Sequence, residues 1–256
     1  MRHTIVTLSR GDAHKIAEWV DYHARLGFED FQVVLDGDVD GTADVLRSLD
    51  VPASVTVHPR AEVGDYYEGL APDERRQRVL AWRERHAAER DSGAMRGNDA
   101  VSWRQHLHLP GVMAPYAAGE RGRGWLAFID VDEFIVLAQH GSVAELTAEA
   151  TAPRLRLLNF DVDTTGHDPG RPVLEQHSVR WSREDVLAHP LKRWAQRCKS
   201  MVRYRCAELG SSVHRISRGR HAVLDPDVAR LHHFKIPVAS EVGIAYTVDD
   251  PVRLPD

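Results

Sequence analysis

Residues 125–136, WLAFIDVDEFIV, set nine apolar side chains around three acids, Asp130, Asp132 and Glu133. No other stretch constrains the fold as tightly. Val, Ile, Phe and Leu without alternation describe a strand covered on both faces, the pattern of a parallel sheet between helix layers. Carboxylates beside such a run are costly to desolvate unless positive groups compensate them. Side chains repeat every two residues along a strand, so a strand continued through this segment projects Asp130 and Asp132 to one side and Glu133 to the other. Two carboxylates on one side are within reach of one cation. A hard divalent ion such as Mg²⁺ or Mn²⁺ takes a carboxylate or two and fills its remaining positions with water and substrate phosphate. The plain alternative is an edge strand running into an acidic turn.

The flanking sequence places this segment in an α/β chain. HTIVTLSR (3–10) reads as a strand, and DAHKIAEWVDYHARLGF as an amphipathic helix. Its Ile16, Trp19, Val20, His23 and Leu26 share a face, with Asp12 as N-cap and Gly27 as stop. FQVVLD (31–36) is a second strand closed by the turn GDVDGT, TADVLRSL a helix and ASVTVHP a third strand. Strand–helix–strand–helix–strand order predicts a parallel, doubly wound beginning. Residues 61–100 depart from it, with the charged helix PDERRQRVLAWRERHAAERD and the loop SGAMRGNDA, before AVSWRQHLHLPGVMAPYA restores a helix. Beyond residue 150 the strand-like pieces RLRLLNF, HSVRW, SMVRYR, HAVL and ARLHHF alternate with Gly- and Pro-bearing turns. The expected architecture is a mixed, mostly parallel central sheet flanked by helices, in one domain over residues 1–256.

Composition removes several function classes. At 43% hydrophobic and 28% charged, the 256 residues are neither disordered nor fibrous. A net charge of −5 gives no pull toward nucleic acid or anionic membrane. No apolar run approaches the ~20 residues that span a bilayer, and the N-terminus reads as a strand rather than a signal peptide. Cys198 and Cys206 make neither a disulfide scaffold nor a zinc site, so a cytoplasmic location is expected. DGDVDG (36–41) opens like a calcium loop, but its twelfth position is Arg47 and a strand precedes it. What remains is an acidic turn at the C-terminal end of a strand, where open α/β sheets bind ligands.

Taken together, the motifs resemble glycosyltransferases of families 2 and 92. SRGDAHKIAEWVDYHARLGFEDFQVVLDGDVDGT is similar to their opening, with a polar loop, a helix reading E-W-x-x-Y-H-x-x-L-G and a strand ending in an acidic turn. WLAFIDVDEFIV is similar to their D-x-D-E-F segment, RLHHF to their closing element, and CKSMVR with SSVHRI to a Lys-then-His stretch. The resemblance implies a GT-A fold, a sugar-nucleotide donor and a divalent metal, Mn²⁺ or Mg²⁺, at the D-x-D. Carried over by position, Ser9, Arg10, Asp12 and Asp36 would line the nucleotide. Asp130 would approach the donor and share the metal with Asp132, and His214 or His233 would be a late ligand or phosphate contact. The sequence departs from the pattern at Arg10-Gly11-Asp12, at Leu35 and at Asp38.

Glycosyl transfer needs a stabilised diphosphate leaving group, a base for the acceptor hydroxyl and exclusion of water. Lys199 and Arg203 can add charge at the diphosphate, though much of KRWAQRCKSMVRYR reads as a solvated basic face. The base candidates are His167 and Asp168 in the loop TTGHDPG (164–170), with Glu133 as a third. His232 and His233 are adjacent and face opposite ways on a strand, so only one points to the site. Trp103, Trp125, Trp181 and Trp194 offer either an acceptor platform or core packing.

The resulting expectation is a metal-dependent, inverting transfer from a UDP-hexose to a hydroxyl acceptor. Residues 1–135 would form the nucleotide-sugar and metal-binding half and 136–256 the acceptor side. The chain closes on VDDPVRLPD without a membrane tether, which favours a soluble acceptor. Two other classes use the same groups. One is a metal-dependent phosphohydrolase or nucleotidyltransferase, whose paired metals about 4 Å apart need more clustered ligands. The other is a non-catalytic sugar-nucleotide-binding module, favoured if the departures at Arg10–Asp12 and Leu35 prevent donor turnover.

Overall fold

The computed structural model of the protein describes residues 1–67, 70–190, 197–216, 219–236 and 243–253. The β-branched N-terminus forms β1 (Arg2–Ser9), followed by β2 (Asp30–Asp36) and β3 (Ser54–Arg60), each parallel to the one before. β4 (Gly124–Phe128) joins the free side of β1, also parallel. The later strands are β5 (Glu133–Leu137), β6 (Arg154–Asp161), β7 (Val179–Trp181), β8 (Cys198–Arg203), β9 (Leu209–Ser212), β10 (Arg215–Ile216), β11 (Ala222–Val223), β12 (Ala229–His233) and β13 (Tyr246–Asp249). The main sheet runs β3-β2-β1-β4-β8-β6-β12-β5, with β11 on β6. The chain is therefore the mixed, mostly parallel α/β protein that its patterning predicts.

Helices cover both faces, as the unalternating strands require. Ile5, Phe31, Val33, Trp125 and Ala127 share one core with Ile16, Trp19 and Val20 of α1 (Ile16–Arg25). Their neighbours Val6, Val34, Leu126 and Phe128 share another with Leu109, Val112 and Met113. α2 (Thr42–Ser48) leads into β3, and α3 (Pro72–Arg85) and α4 (Ala87–Asp91) form the charged departure. α5 (Ala100–Ala117) carries the second core, started by the Asp99 carboxylate accepting from Ser102 N at 2.7 Å.

Two expectations fail locally. Asp12 does not cap α1: Lys15 holds the N-cap position without a side-chain bond, and the Asp12 carboxylate accepts instead from Ser9 Oγ and Arg10 N. Residues 125–136 are not one strand either. β4 ends at Phe128, and β5 begins at Glu133 on the opposite edge of the sheet. In a flat sheet four strand spacings of ~4.8 Å would separate them by about 19 Å. The short link 129–132 contains a turn closed by Glu133 N on Asp130 O at 3.0 Å, so the sheet curls to bring its far edge back beside β4. The boundary expected at residue 135 falls inside β5. Among the described residues no helix is long and apolar enough to cross a membrane.

Candidate active site

Strand directions set the site. β1, β2, β3, β4, β6 and β12 point the same way, while β8 and β5 run against them. The C-terminal ends of the first group and the N-terminal ends of β8 and β5 therefore share one rim. Ser9, Asp36, Asp130, Asp132, Glu133, Asp161, Lys199 and His233 all lie on it. The order also reverses between β1 and β4, the switch point at which α/β sheets bind ligands.

The turn gathers its acids around a lysine. Lys199 Nζ lies 2.5 Å from Asp130 Oδ2 and 3.2 Å from Glu133 Oε2, with the Lys199 and Glu133 side chains at 0% exposure and Asp130 at 36%. Burial alone would lower the Lys199 pKa, yet the two carboxylates hold it above the usual lysine range. Burial pushes the Glu133 carboxyl up to about 7 against the pull of Lys199. Asp130 N donates to Glu133 Oε2 at 2.9 Å and Asn159 Nδ2 to Oε1 at 2.8 Å, so both Glu133 oxygens are engaged. Lys199 is thus enclosed as the counter-ion of both acids, and Glu133 sits buried beneath the turn.

A second arm continues the lattice. His233 Nε2 lies 3.3 Å from Asp132 Oδ2 and its Nδ1 lies 3.1 Å from Asp161 Oδ1, while Lys235 Nζ meets Asp161 Oδ2 at 2.7 Å. Desolvation would strip the imidazole of its proton, but the Asp132 and Asp161 carboxylates raise His233 to about 10. Both of its ring nitrogens therefore face carboxylate oxygens here. Desolvation also opposes charge on Asp132, and His233, Lys15 and Lys199 nevertheless hold it well below the usual carboxylate range. Lys15 pairs with Asp12 Oδ1 at 3.1 Å. Burial works against its charge, and Asp132 and Asp12 restore it. Asp130 and Asp132, partly exposed, are the acids the lattice presents outward.

The E-W-x-x-Y-H helix turns Trp19, Tyr22 and His23 onto β5. β5 is an edge strand, and α1 side chains complete its backbone hydrogen bonds in place of a neighbouring strand. Trp19 Nε1 donates to Glu133 O at 2.8 Å, the Tyr22 hydroxyl donates to Ile135 O at 2.7 Å, and Ile135 N donates to His23 Nε2 at 3.3 Å. His23 Nδ1 donates to Trp19 O at 2.8 Å. Full burial lowers His23 to about 3, so it stays neutral in this tautomer. Glu18 accepts from Val173 N and Leu174 N at 2.8 and 3.0 Å. The seam fixes β5, and with it the position of the acid turn.

At the nucleotide corner, Ser9, Arg10 and Asp12 close on one another through the Asp12 carboxylate, with Gly11 at φ +71° making the turn. Asp36 is buried and paired to Arg104 Nε at 2.5 Å. Tyr66 lies against both Arg10 and Arg104.

The other candidates separate. His167 is half-buried, with Nδ1 3.1 Å from His177 Nε2, and it interacts electrostatically with His14 beside Lys15. Asp168 is exposed and accepts from Gly170 N at 2.9 Å, a turn role. His214 interacts with Lys199 and Asp130, and burial lowers it to about 3. Arg203 stacks on Trp125 four residues along β8 from Lys199, on the opposite rim. Trp125 and Trp181 are core residues and Trp103 is half-buried on α5, whereas Trp194 lies outside the described residues. His232 turns from the rim toward Asp250, at 3.1 Å. Sequence reasoning missed Lys15, Arg104, Tyr66, Asn159, Asp161 and Lys235. NFDVD, a second strand running into acids, was the available signal for Asn159 and Asp161; nothing local marks the others.

The curled, mixed α/β sheet thus places two partly exposed carboxylates, each backed by a cation, at the switch point where such sheets bind ligands. The chain belongs to glycosyltransferase family 92, whose description matches residues 9–251. It is similar to the crystal structure of S. aureus TarS 1–349, with 11% identity over 91% of this chain and 60% of that one and a TM-score of 0.44. The complex of S. aureus TarS 1–349 with UDP-GlcNAc gives 11% identity over 92% and 59% and a TM-score of 0.45. The chain thus spans under two thirds of either structure. No curated protein matches the sequence.

Proposed function

We propose that the protein, a transferase of GT-A type, moves a hexose from a UDP-sugar to a hydroxyl acceptor by direct inverting displacement. One observation carries the reading: in a family 92 chain, the Asp130–Asp132 turn presents two partly exposed carboxylates at the switch rim, each backed by a protein cation. Among the described residues no group of three or more His, Cys, Asp or Glu is arranged to hold a metal. Two carboxylates completed by water and phosphate are nevertheless what Mg²⁺ or Mn²⁺ takes. Asp130 and Asp132 each have one oxygen committed to Lys199 or His233, so the other of each fits such an ion. Bound there, it would neutralise charge on the leaving diphosphate.

The remaining steps fall to the chain's own groups. Lys199 and His233 keep the turn charged and in place, and the loop Ser9–Asp12 borders the nucleotide. The acceptor oxygen forms its bond to the sugar's anomeric carbon as the bond to the diphosphate breaks. Its proton passes to a base, for which His167 is the favoured group. It is half-buried, in electrostatic reach of His14 on the β1–α1 loop, with its Nδ1 3.1 Å from His177 Nε2. Glu133 is enclosed and Asp168 is spent on its own turn.

Calorimetry of UDP and UDP-sugars with and without Mn²⁺, in the wild type and in Asp132→Ala, tests the proposal. Metal-linked binding that the substitution abolishes is expected. Absence of nucleotide binding under every condition would sink it. Binding without slow hydrolysis or transfer of the sugar would instead favour the non-catalytic module.

A further inference from the structure

The corner between β1, β2 and α5 holds a ring that belongs to the chain itself. Tyr66 places its ring centroid 3.5 Å from Arg10 Cζ and 4.3 Å from Arg104 Cζ. Its hydroxyl donates to Asp36 Oδ1 at 3.4 Å and accepts from Val63 N at 3.0 Å. The Asp36 carboxylate is thereby engaged on both oxygens, since Arg104 Nε holds Oδ2 at 2.5 Å. Two guanidinium groups over an aromatic face, with an acceptor carboxylate at the ring's edge, form a recess for a planar π-system that carries a hydrogen-bond donor. A nucleobase with a ring N–H has that same chemistry.

Residues 61–67, which deliver the ring, are attached lightly. The segment contributes no side chain to the apolar clusters. It is held by polar contacts: Arg10 Nη1 to Glu62 Oε1 at 3.2 Å, Arg104 Nη1 to Gly64 O and Asp65 O at 3.4 and 3.1 Å, Arg85 Nη1 to both Asp65 oxygens at 3.0 and 3.1 Å, and Ala100 N to the Tyr67 hydroxyl at 3.1 Å. Gly64 at φ +78° is followed by Asp65 at φ +56°, the one non-glycine with positive φ among the described residues. A residue with a Cβ is strained there. Segments without buried apolar contacts open at low free energy.

We infer that Arg10, Asp36 and Arg104 form a nucleobase recess, and that Tyr66 is its internal occupant, displaced when the base of the donor enters. The inference rests on the sugar-nucleotide reading above and adds to it a competitor built into the fold. Ligand affinity for such a site is reduced by the fraction of molecules in the open state. With the open state at about 1–10% of the population, removing the ring tightens nucleotide binding about tenfold or more.

The test is calorimetric titration of UDP and GDP into the full chain as wild type, Tyr66→Ala and Tyr66→Phe, combined with amide hydrogen exchange. Tyr66→Ala is expected to bind at least one of the two about tenfold tighter. Tyr66→Phe, which keeps the ring and loses the bond to Asp36, should fall between Tyr66→Ala and the wild type. Exchange in residues 61–67 of the wild type should speed up on nucleotide binding. If the wild type binds and Tyr66→Ala binds equally or more weakly, or if exchange slows, Tyr66 is a platform that closes on the ligand and the inference is overturned while the donor reading stands. If no variant binds either nucleotide, both fall.

Discussion

The seam between α1 and β5 and the ionic rim of the sheet are built on the same few residues and work in opposite ways. At the seam, Glu133 O, Ile135 O and Ile135 N are satisfied by Trp19, Tyr22 and His23, neutral groups sealed in the core. At the rim, the side chains of Asp130, Asp132 and Glu133 are satisfied by Lys199 and His233, and two of the acids retain exposure. The seam has nothing left to offer a ligand. The rim keeps carboxylate oxygens facing outward because its charges are paired from behind. A segment held so firmly along its backbone can afford strained electrostatics at its tip.

The strongest challenge to this contrast is Lys199→Met, which leaves Asp130 and Glu133 beside each other without their cation. Breaking a buried pair costs about 3–5 kcal/mol, and chemical denaturation should show a loss of that order. Glu133→Gln in the same background should recover part of it. A loss of less than about 1 kcal/mol would mean the acids do not depend on the lysine.

Asp132→Asn addresses the outward side of the rim. Turnover of a UDP-sugar should fall about 100-fold or more, as when a group stabilising developing charge is removed. Circular dichroism and the denaturation midpoint should report a folded protein. Unchanged turnover would remove Asp132 from the chemistry.

Trp19→Phe and Tyr22→Phe probe the seam by stranding one buried carbonyl each, at about 1–3 kcal/mol. Both should destabilise without altering nucleotide affinity in proportion. A variant that keeps its stability and loses binding would make the helix part of the ligand site after all.

The smallest effect is a pH slope. Burial lowers His23 to about 3, against the ordinary histidine value of 6.5. Between those values the unfolded chain takes up a proton that the folded chain refuses, so stability falls as pH drops through this window. One such group contributes about 1.4 kcal/mol per pH unit. Stability curves of wild type and His23→Gln should differ by that slope from pH 6 to pH 4. Parallel curves would show that His23 is protonated in the folded state.

Much of this was legible in residues 1–60 and 125–136, where unbroken apolar runs and helical periodicity record burial directly. Strand alternation set His232 and His233 on opposite faces without saying which meets the site, and the acid run marked the rim. The alternation argument failed at Asp130–Glu133 because it presumed a continuing strand. The chain turns there to reach the far edge of a curled sheet, and Glu133 therefore lies beneath the turn with Lys199 instead of on an opposite face.

What the sequence determined by itself is the α/β class, the covered sheet and the presence of a carboxylate pair at a strand end. These follow from local periodicity, which neighbouring residues impose on one another. The tertiary structure alone decided which acids are spent and which are offered. Lys199 meets Asp130 across 69 residues, and Arg104 meets Asp36 across 68. A carboxylate's role depends on its dielectric surroundings and its counter-ion, and both are supplied by chain segments that no local pattern connects.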